Sequence, residues 1–290
     1  MSGLPSTVDA APKPVRAGRA PLRVRAFLGV SAAWKNAGAL LQATYDGVWL
    51  GLLRRADLHA VDERYYDRTA SYHGDAHNLR GLFDWEKSAL EAFAGCRRVA
   101  VLGAGGGREV LALSRMGFDV TGYECNAALV RAAGEFLPRQ GCAARVVHLP
   151  RDEVPSDAEP FDGIILGWSA YTLISGRAHR IHLLRRLRPL VRPGGPLLLS
   201  FWTRGGDTAR FRVSAAVANA VRAVTRGERI ERGDALAPNF AHFFVAAEVS
   251  AELREAGWTP RRFTPHGSGG RDSGWAIGTA PDADAAEGIG

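Results

Sequence analysis

The chain is short of lysine, cysteine and methionine. Of its 37 basic residues only Lys13, Lys35 and Lys87 are lysines, and methionine occurs twice in 290 residues. The three cysteines, Cys96, Cys125 and Cys142, cannot all pair and have no metal-ligand spacing. That excludes a disulfide scaffold and a cysteine-ligated zinc site, no metal is expected, and the cytoplasm is the expected compartment. Also missing is any uncharged apolar run of about 18 residues, which excludes an ordinary membrane-crossing helix. The nearest approach is AFLGVSAAWKNAGALLQATYDGVWLGLL (26–53). Lys35 and Asp46 interrupt it and no cleavage site follows, which argues against a signal peptide. It is expected to form helices that pack on the main domain or on a second subunit, so a homodimer stays open; contact with a membrane surface is the lesser alternative. No internal repeat is present.

Positive charge is in excess, at +7. Arginines cluster within 1–25 and in RAHRIHLLRRLRPLVRP (177–193), which reads as the solvated face of an amphipathic helix. An arginine bias also follows from codon usage, and no basic motif is interleaved with aromatics. The charge therefore argues weakly for an anionic partner, and against nucleic acid.

Composition and periodicity divide the chain into three parts. Residues 1–20, rich in Pro, Ala, Gly and Ser, read as a flexible tail. Residues 21–95 read as a helical cap, with LLQATYDGVWLGLLRRADL (40–58) placing apolar residues at helical spacing. Residues 96–290 alternate strand and helix. Strands are expected at RRVAVLGAG (97–105), FDVTGYE (118–124), ARVVHLP (144–150), FDGIILGW (161–168) and PLLLSFW (196–202). Between them lie helical patterns, one of them capped by Asn126. Residues 203–247 interrupt the alternation as a long insert expected to form a lid. After it come a helix at 245–258 and two final strands, WTPRRF (258–263) and GWAIGTA (274–280). The fold class expected is α/β: a doubly wound, mostly parallel seven-stranded sheet with an antiparallel last strand, plus the N-terminal helical cap.

VAVLGAGGGREVLAL (99–113) is the most informative stretch. A buried strand running into a glycine cluster and then a helix brings backbone close to a ligand at the carboxyl edge of a parallel sheet. A dinucleotide fingerprint fails here, because Gly103 and Gly105 are followed by Arg108 where the third glycine belongs. A Walker A loop fails for want of Gly-Lys-Ser/Thr.

Several segments, taken together, resemble the ordered motifs of the class I S-adenosylmethionine-dependent methyltransferases over about residues 95–280. They are VLGAGGG (101–107), GYE (122–124) at the end of the next strand, FDGIILGW, LRPLVRPGGPLLLSF (187–201) and ELREAGW (252–258). The resemblance implies S-adenosylmethionine as cofactor and S-adenosylhomocysteine as product. It implies that Gly103, Ala104 and Gly105 face the methionine part and ribose. Glu124 then holds the ribose hydroxyls, Cys125 lies beside the adenine, and Asp152 or Glu153 meets the adenine amine, although the family's usual Gly-Asp pair is absent. Gly167 and Trp168 end the fourth strand beneath the methyl group. Tyr66 and Tyr72, in YYDRTASYH (65–73), resemble a tyrosine-rich segment that closes over the cofactor. LGWSAY stands where an amino-methyltransferase of nucleic-acid bases or protein glutamine carries Asn/Asp-Pro-Pro-Tyr/Phe, so that class is disfavoured.

Methyl transfer from a sulfonium is an in-line displacement that needs a base only if the nucleophile must lose a proton. His242, in ERGDALAPNFAHFF (231–244), is the first candidate base, with His73, His179 and Tyr171 behind it. The cap and the insert are expected to enclose a small-molecule acceptor. A methyltransferase of RNA or protein, and a non-catalytic module that keeps the fold, are the rival readings, and a dehydrogenase a distant third.

Overall fold

The computed structural model describes residues 20–156, 159–205, 208–268 and 271–282; most of the expected tail, residues 1–20, lies outside them. The helices α1 (Leu22–Leu52), α2 (Arg55–Arg68), α3 (Ala70–His73), α4 (Asp75–Asn78) and α5 (Asp84–Ala89) come first. The alternating region follows as β1 (Arg98–Leu102), α6 (Arg108–Arg115), β2 (Asp119–Glu124), α7 (Ala127–Arg139), β3 (Arg145–His148), β4 (Gly163–Leu166), α8 (Arg177–Leu187) and β5 (Pro196–Trp202). The insert supplies α9 (Ala209–Thr225) and a small hairpin, β6 (Asp234–Leu236) with β7 (Phe240–His242). The chain closes with α10 (Ala246–Glu255), β8 (Thr259–Ser268) and β9 (Arg271–Thr279). Leu41 ends a first unit and Gln42 opens a second, within α1; the sheet, its helices and the insert all belong to the second.

The main sheet has the order β3-β2-β1-β4-β5-β9-β8. The first five strands are parallel neighbours, and β9 runs antiparallel to both β5 and β8. The expected seven-stranded sheet is therefore present, with the last strand reversed. Its central strands read as unbroken apolar runs because both faces are covered. Alternation within β1 shows this directly: Val99 and Val101 enter one core with α6 and α7, while Ala100 and Leu102 enter the other with α8 and α10. The order reverses between β1 and β4, so the crevice above their carboxyl ends is the topological switch point where such sheets take ligands.

Arg177 and Arg185 lie on the expected solvated face of α8, but Arg180 departs from it. Arg180 is fully buried, its Nε and Nη2 donating to the carboxylate of the equally buried Glu252 and Nη2 also to Glu231 at 2.8 Å. The helix forms where the pattern predicts it, and Arg180 can be buried because Glu252 and Glu231 satisfy its donors. The insert does more than cover the sheet. Gly47 and Gly51 of α1 lie against Val217 and Val221 of α9 so closely that a Cβ on Gly51 would stand 2.5 Å from that of Val221. Arg222 then donates to the carbonyls of Leu50 and Leu53, satisfying the open end of α1.

Candidate active site

The glycine loop sits at the switch point and turns β1 into α6. Gly105 has φ +53°, a left-handed conformation that suits glycine, and its N–H donates to Glu124 Oε2 at 2.9 Å. Gly106 is needed for room rather than for conformation. A Cβ there would collide with the Tyr72 carbonyl and with the Asn78 amide, so the cap chain rests directly on the loop. Glu124, at the end of β2, is fixed from both sides, because its Oε1 accepts the Asn126 N–H at 2.8 Å. The carboxylate is held rigid and keeps further lone pairs on each oxygen for a ligand. Asn126 caps α7 as expected, accepting from the Leu129 N–H at 2.9 Å, and its Nδ2 reaches Asp67 of α2 at 3.0 Å.

A cavity of about 190 Å³ opens over this loop. Of the residues singled out from the sequence, Gly103, Ala104, Gly105, Glu124, Cys125, Asp152, Glu153, Trp168, Tyr66 and Tyr72 all line it. Gly167 does not; it is pressed against the Gly103 carbonyl, 2.7 Å from where its Cβ would be, and Trp168 reaches the cavity from the next position. Beyond Trp168 the backbone of Ser169 is left-handed (φ +56°), held by its N–H donating to Ser200 Oγ at 2.6 Å. Strain of this kind clusters at ligand sites.

The candidate proton acceptors lie elsewhere. His242 is buried in the β6–β7 hairpin with Nδ1 2.6 Å from Asp234 Oδ1 and its ring edge-on to Phe244. The Tyr171 hydroxyl donates to Glu252 at 2.5 Å, and burial raises its pKa well above the usual phenol value. His73 Nε2 stands 3.0 Å from the Tyr66 carbonyl, and His179 Nε2 3.5 Å from Glu228. None of them lines the cavity.

Residues that the sequence did not single out do line it: Asp62, His77, Asn78, Arg108, Glu109 and Arg151. Most come from segments without hydrophobic periodicity; the only signal in HGDAHNLRG (73–81) is its density of polar side chains. His77 stacks on Trp168 (6.1 Å, 21°) and meets Tyr72 edge-on. Burial, then the neighbouring Arg108 guanidinium, lowers its pKa, so the ring is neutral at neutral pH. Arg108, standing where a dinucleotide site would have glycine, is a structural clamp. It is 2% exposed, pairs with both oxygens of Glu86 at 2.6–2.7 Å, and also meets Glu109 and the Gly81 carbonyl. Its guanidinium lies 4.4 Å over Phe83, and Glu109 accepts the Trp168 N–H at 3.2 Å. One buried network thus fixes the cap chain, the loop and the aromatic wall together.

The far end of the cavity is ionic. Asp62 of α2, 3% exposed, accepts from Arg151 and from Asn239 of the insert. Arg55 pairs with Asp152 at 2.5 Å, and Arg186 with Glu153 at 3.0 Å. Both acidic candidates for an adenine amine are therefore already engaged by arginines. Burial, and then Glu124, pushes the Cys125 thiol up to about 12, so it stays protonated and acts as a neutral wall.

Residues 100–199 match the family model described as a methyltransferase domain. No curated protein matches the sequence. Solved structures do match the fold. A SAM-dependent methyltransferase from Methanosarcina mazei is 18% identical, with a TM-score of 0.55 over 70% of this chain and 99% of that one. The 1,6-didemethyltoxoflavin-N1-methyltransferase of Burkholderia thailandensis, solved with 1,6-didemethyltoxoflavin and S-adenosylhomocysteine, is 20% identical, with a TM-score of 0.56 over 79% and 92%. The magnesium protoporphyrin IX methyltransferase of Synechocystis PCC 6803, solved with bound SAM, is 12% identical, with a TM-score of 0.52 over 77% and 97%.

The residues present fit S-adenosylmethionine. Glu124 offers a rigid acceptor for two ribose hydroxyls. The loop admits a ligand against its backbone. Asn78 Oδ1 is buried beside Gly106 with no hydrogen-bond donor, an orphan that the cofactor's ammonium group would satisfy. The domain model over residues 100–199, the sheet order and this cofactor cradle together support a class I, Rossmann-like S-adenosylmethionine-dependent methyltransferase.

Proposed function

We propose that this enzyme methylates a small-molecule acceptor bound in the cavity between Trp168, His77 and the tyrosines of the cap. The observation that carries the reading is enclosure. The same cavity that holds the cofactor cradle is walled by Tyr66, Tyr72 and His77 from the cap side, and Asn239 of the insert ties down Asp62. Walls of cap aromatics, glycine loop and Trp168 suit a compact acceptor better than a polymer, and no described residue of the insert lines the cavity, contrary to the expected lid.

When bound, the cofactor supplies an activated methyl group on a sulfonium. The chain's own residues then orient and exclude water. Glu124, Asn78 and the glycine loop fix the cofactor; Trp168, positioned through its N–H on Glu109, sets the wall against which the acceptor lies. Much of the rate comes from this alignment. His77 takes the acceptor's proton where there is one to lose. It is the neutral imidazole that lines the cavity, whereas His242 and Tyr171 are buried away from it in ion-pair networks.

The rival reading, a nucleic-acid substrate, rests on the arginine-rich segments. Those of α8 are spent internally: Arg177 and Arg185 on Glu255, Arg180 on Glu252, and Arg186 on Glu153. Arg180 is closed to phosphates by burial, and no aromatic residue interleaves the exposed arginines of this segment.

Calorimetric titration with S-adenosylhomocysteine tests the cofactor site, with NAD as control. Micromolar binding that Glu124→Ala weakens about 100-fold is expected, from the loss of charge-assisted hydrogen bonds. A screen of small-molecule extracts with labelled methyl donor tests the acceptor. Label that enters only RNA or protein would overturn the small-molecule reading.

A further inference from the structure

The described part of the first unit, residues 20–41, holds only one stretch of α1, so inside that unit its side chains have nothing to pack on. An isolated helix of this length is marginal in water, and Gly29, Gly38, Val24 and Val30 weaken it further. Yet it carries the densest exposed apolar surface among the described residues. Trp34 is 80% exposed, Leu41 72% and Phe27 69%.

Two features say what covers this surface. The first is its breadth. At roughly 100° per residue, Phe27, Val30, Trp34 and Leu41 fall on one side, but Leu22, Leu28 and Leu40, also exposed, fall on others. A coiled-coil partner covers one narrow seam, whereas a lipid boundary takes in one apolar side, here Phe27, Val30, Trp34 and Leu41, together with the apolar residues that flank it. The second is its charge. Arg23, Arg25 and Lys35 are exposed, and residues 20–45 contain no acid. Long basic side chains can bury their stems beside apolar neighbours and present their charge to an anionic surface. A second copy of the helix would instead bring basic residues against basic residues. Among the described residues, no helix is long and apolar enough to cross a membrane.

We infer that the Leu22–Leu41 segment is a surface anchor that docks this methyltransferase on an anionic lipid bilayer, with Phe27 and Trp34 entering the boundary between headgroups and acyl chains. The occupant is lipid, recognised by an apolar insertion and by a basic ring complementary to acidic headgroups.

Flotation of the full chain with vesicles tests this, using equal phosphatidylglycerol and phosphatidylcholine in one arm and phosphatidylcholine alone in the other. The full chain should float with the anionic vesicles, far less with the neutral ones, and detach at high salt. Phe27→Glu with Trp34→Glu should abolish flotation. Arg23→Ala with Arg25→Ala and Lys35→Ala should weaken it roughly 100-fold, given the attraction of each basic residue to an acidic leaflet. Unchanged melting temperatures would show that both variants keep the fold of the second unit. The inference is overturned if the full chain ignores anionic vesicles, or if the Phe27→Glu, Trp34→Glu variant floats as well as the parent. It is also overturned if light scattering finds a dimer that this variant splits, because the face would then belong to a second copy.

Discussion

At the scale of single residues, the site depends on a few atoms that no neighbour can replace. Gly106 is one. Any side chain there meets the Tyr72 carbonyl and the Asn78 amide, so Gly106→Ala should push the cap chain off the loop. Affinity for S-adenosylhomocysteine should fall by at least about tenfold, the equivalent of one lost hydrogen bond, as read by calorimetry. His77 is another. With an identified acceptor, His77→Asn should lower kcat by about 100-fold, within the range of general-base contributions. Because burial and Arg108 hold the His77 pKa below its ordinary value, the parent should keep its rate through neutral pH and lose it only on the acid side. The variant should lack that acid limb. An acceptor whose nucleophile has no proton to lose would show neither effect. Arg108 acts differently, on stability. Removing it strands Glu86, whose pKa burial already raises, and Arg108→Ala should cost about 3–5 kcal/mol in chemical denaturation.

At the scale of elements, the β6–β7 hairpin is a pH-sensitive brace rather than a catalytic strand. His242 is fully buried. Burial disfavours its charged form, but Asp234 at 2.6 Å and Glu248, 3.9 Å from Nε2, outweigh both that and the repulsion of Arg180, so its pKa is raised. A group with a raised folded pKa stabilises fully below its unfolded value near 6.5 and loses that contribution as pH climbs through the folded value. Melting temperature should therefore fall between mildly acidic and mildly alkaline pH. His242→Phe should flatten that slope; a slope unchanged in the variant would assign it to another group. Element by element, α6, β2, α7 and the Asn126 cap are legible in the sequence because each carries its own local signal, an apolar period or a capping side chain. The short α3 and α4, which bring Tyr72, His77 and Asn78 to the loop, are not. They are too short for a period, and what holds them is contact with Gly106 and with α6.

At the scale of the whole molecule, the net charge of +7 is a poor guide to partners, because it gives the sum of the charges and not their placement. Affinity for an unstructured RNA should lie no tighter than the nonspecific range of about 1–100 μM at physiological salt, measured by fluorescence anisotropy. The cavity lies entirely within residues 42–290. A chain beginning at Gln42 should accordingly bind S-adenosylhomocysteine within about twofold of the full chain, a change under about 0.5 kcal/mol.

The sequence by itself determined the sheet, its strand-helix alternation and the cofactor edge. These follow from periodicity, from glycines in a fixed order and from Glu124 at a strand end, all of which are local in the chain. Only the tertiary structure decided which side chains share the cavity. Gly106 and Asn78 are separated in the chain by α5 and β1, and Asp62 meets Asn239 from the other end of the protein, so no local pattern could pair them. It decided the fate of the histidines as well. His242 and His77 look alike in a sequence, but Asp234 and a buried hairpin claim the first, while the second stacks on Trp168 at the cavity wall. The difference is one of environment, which arises only when distant segments pack together.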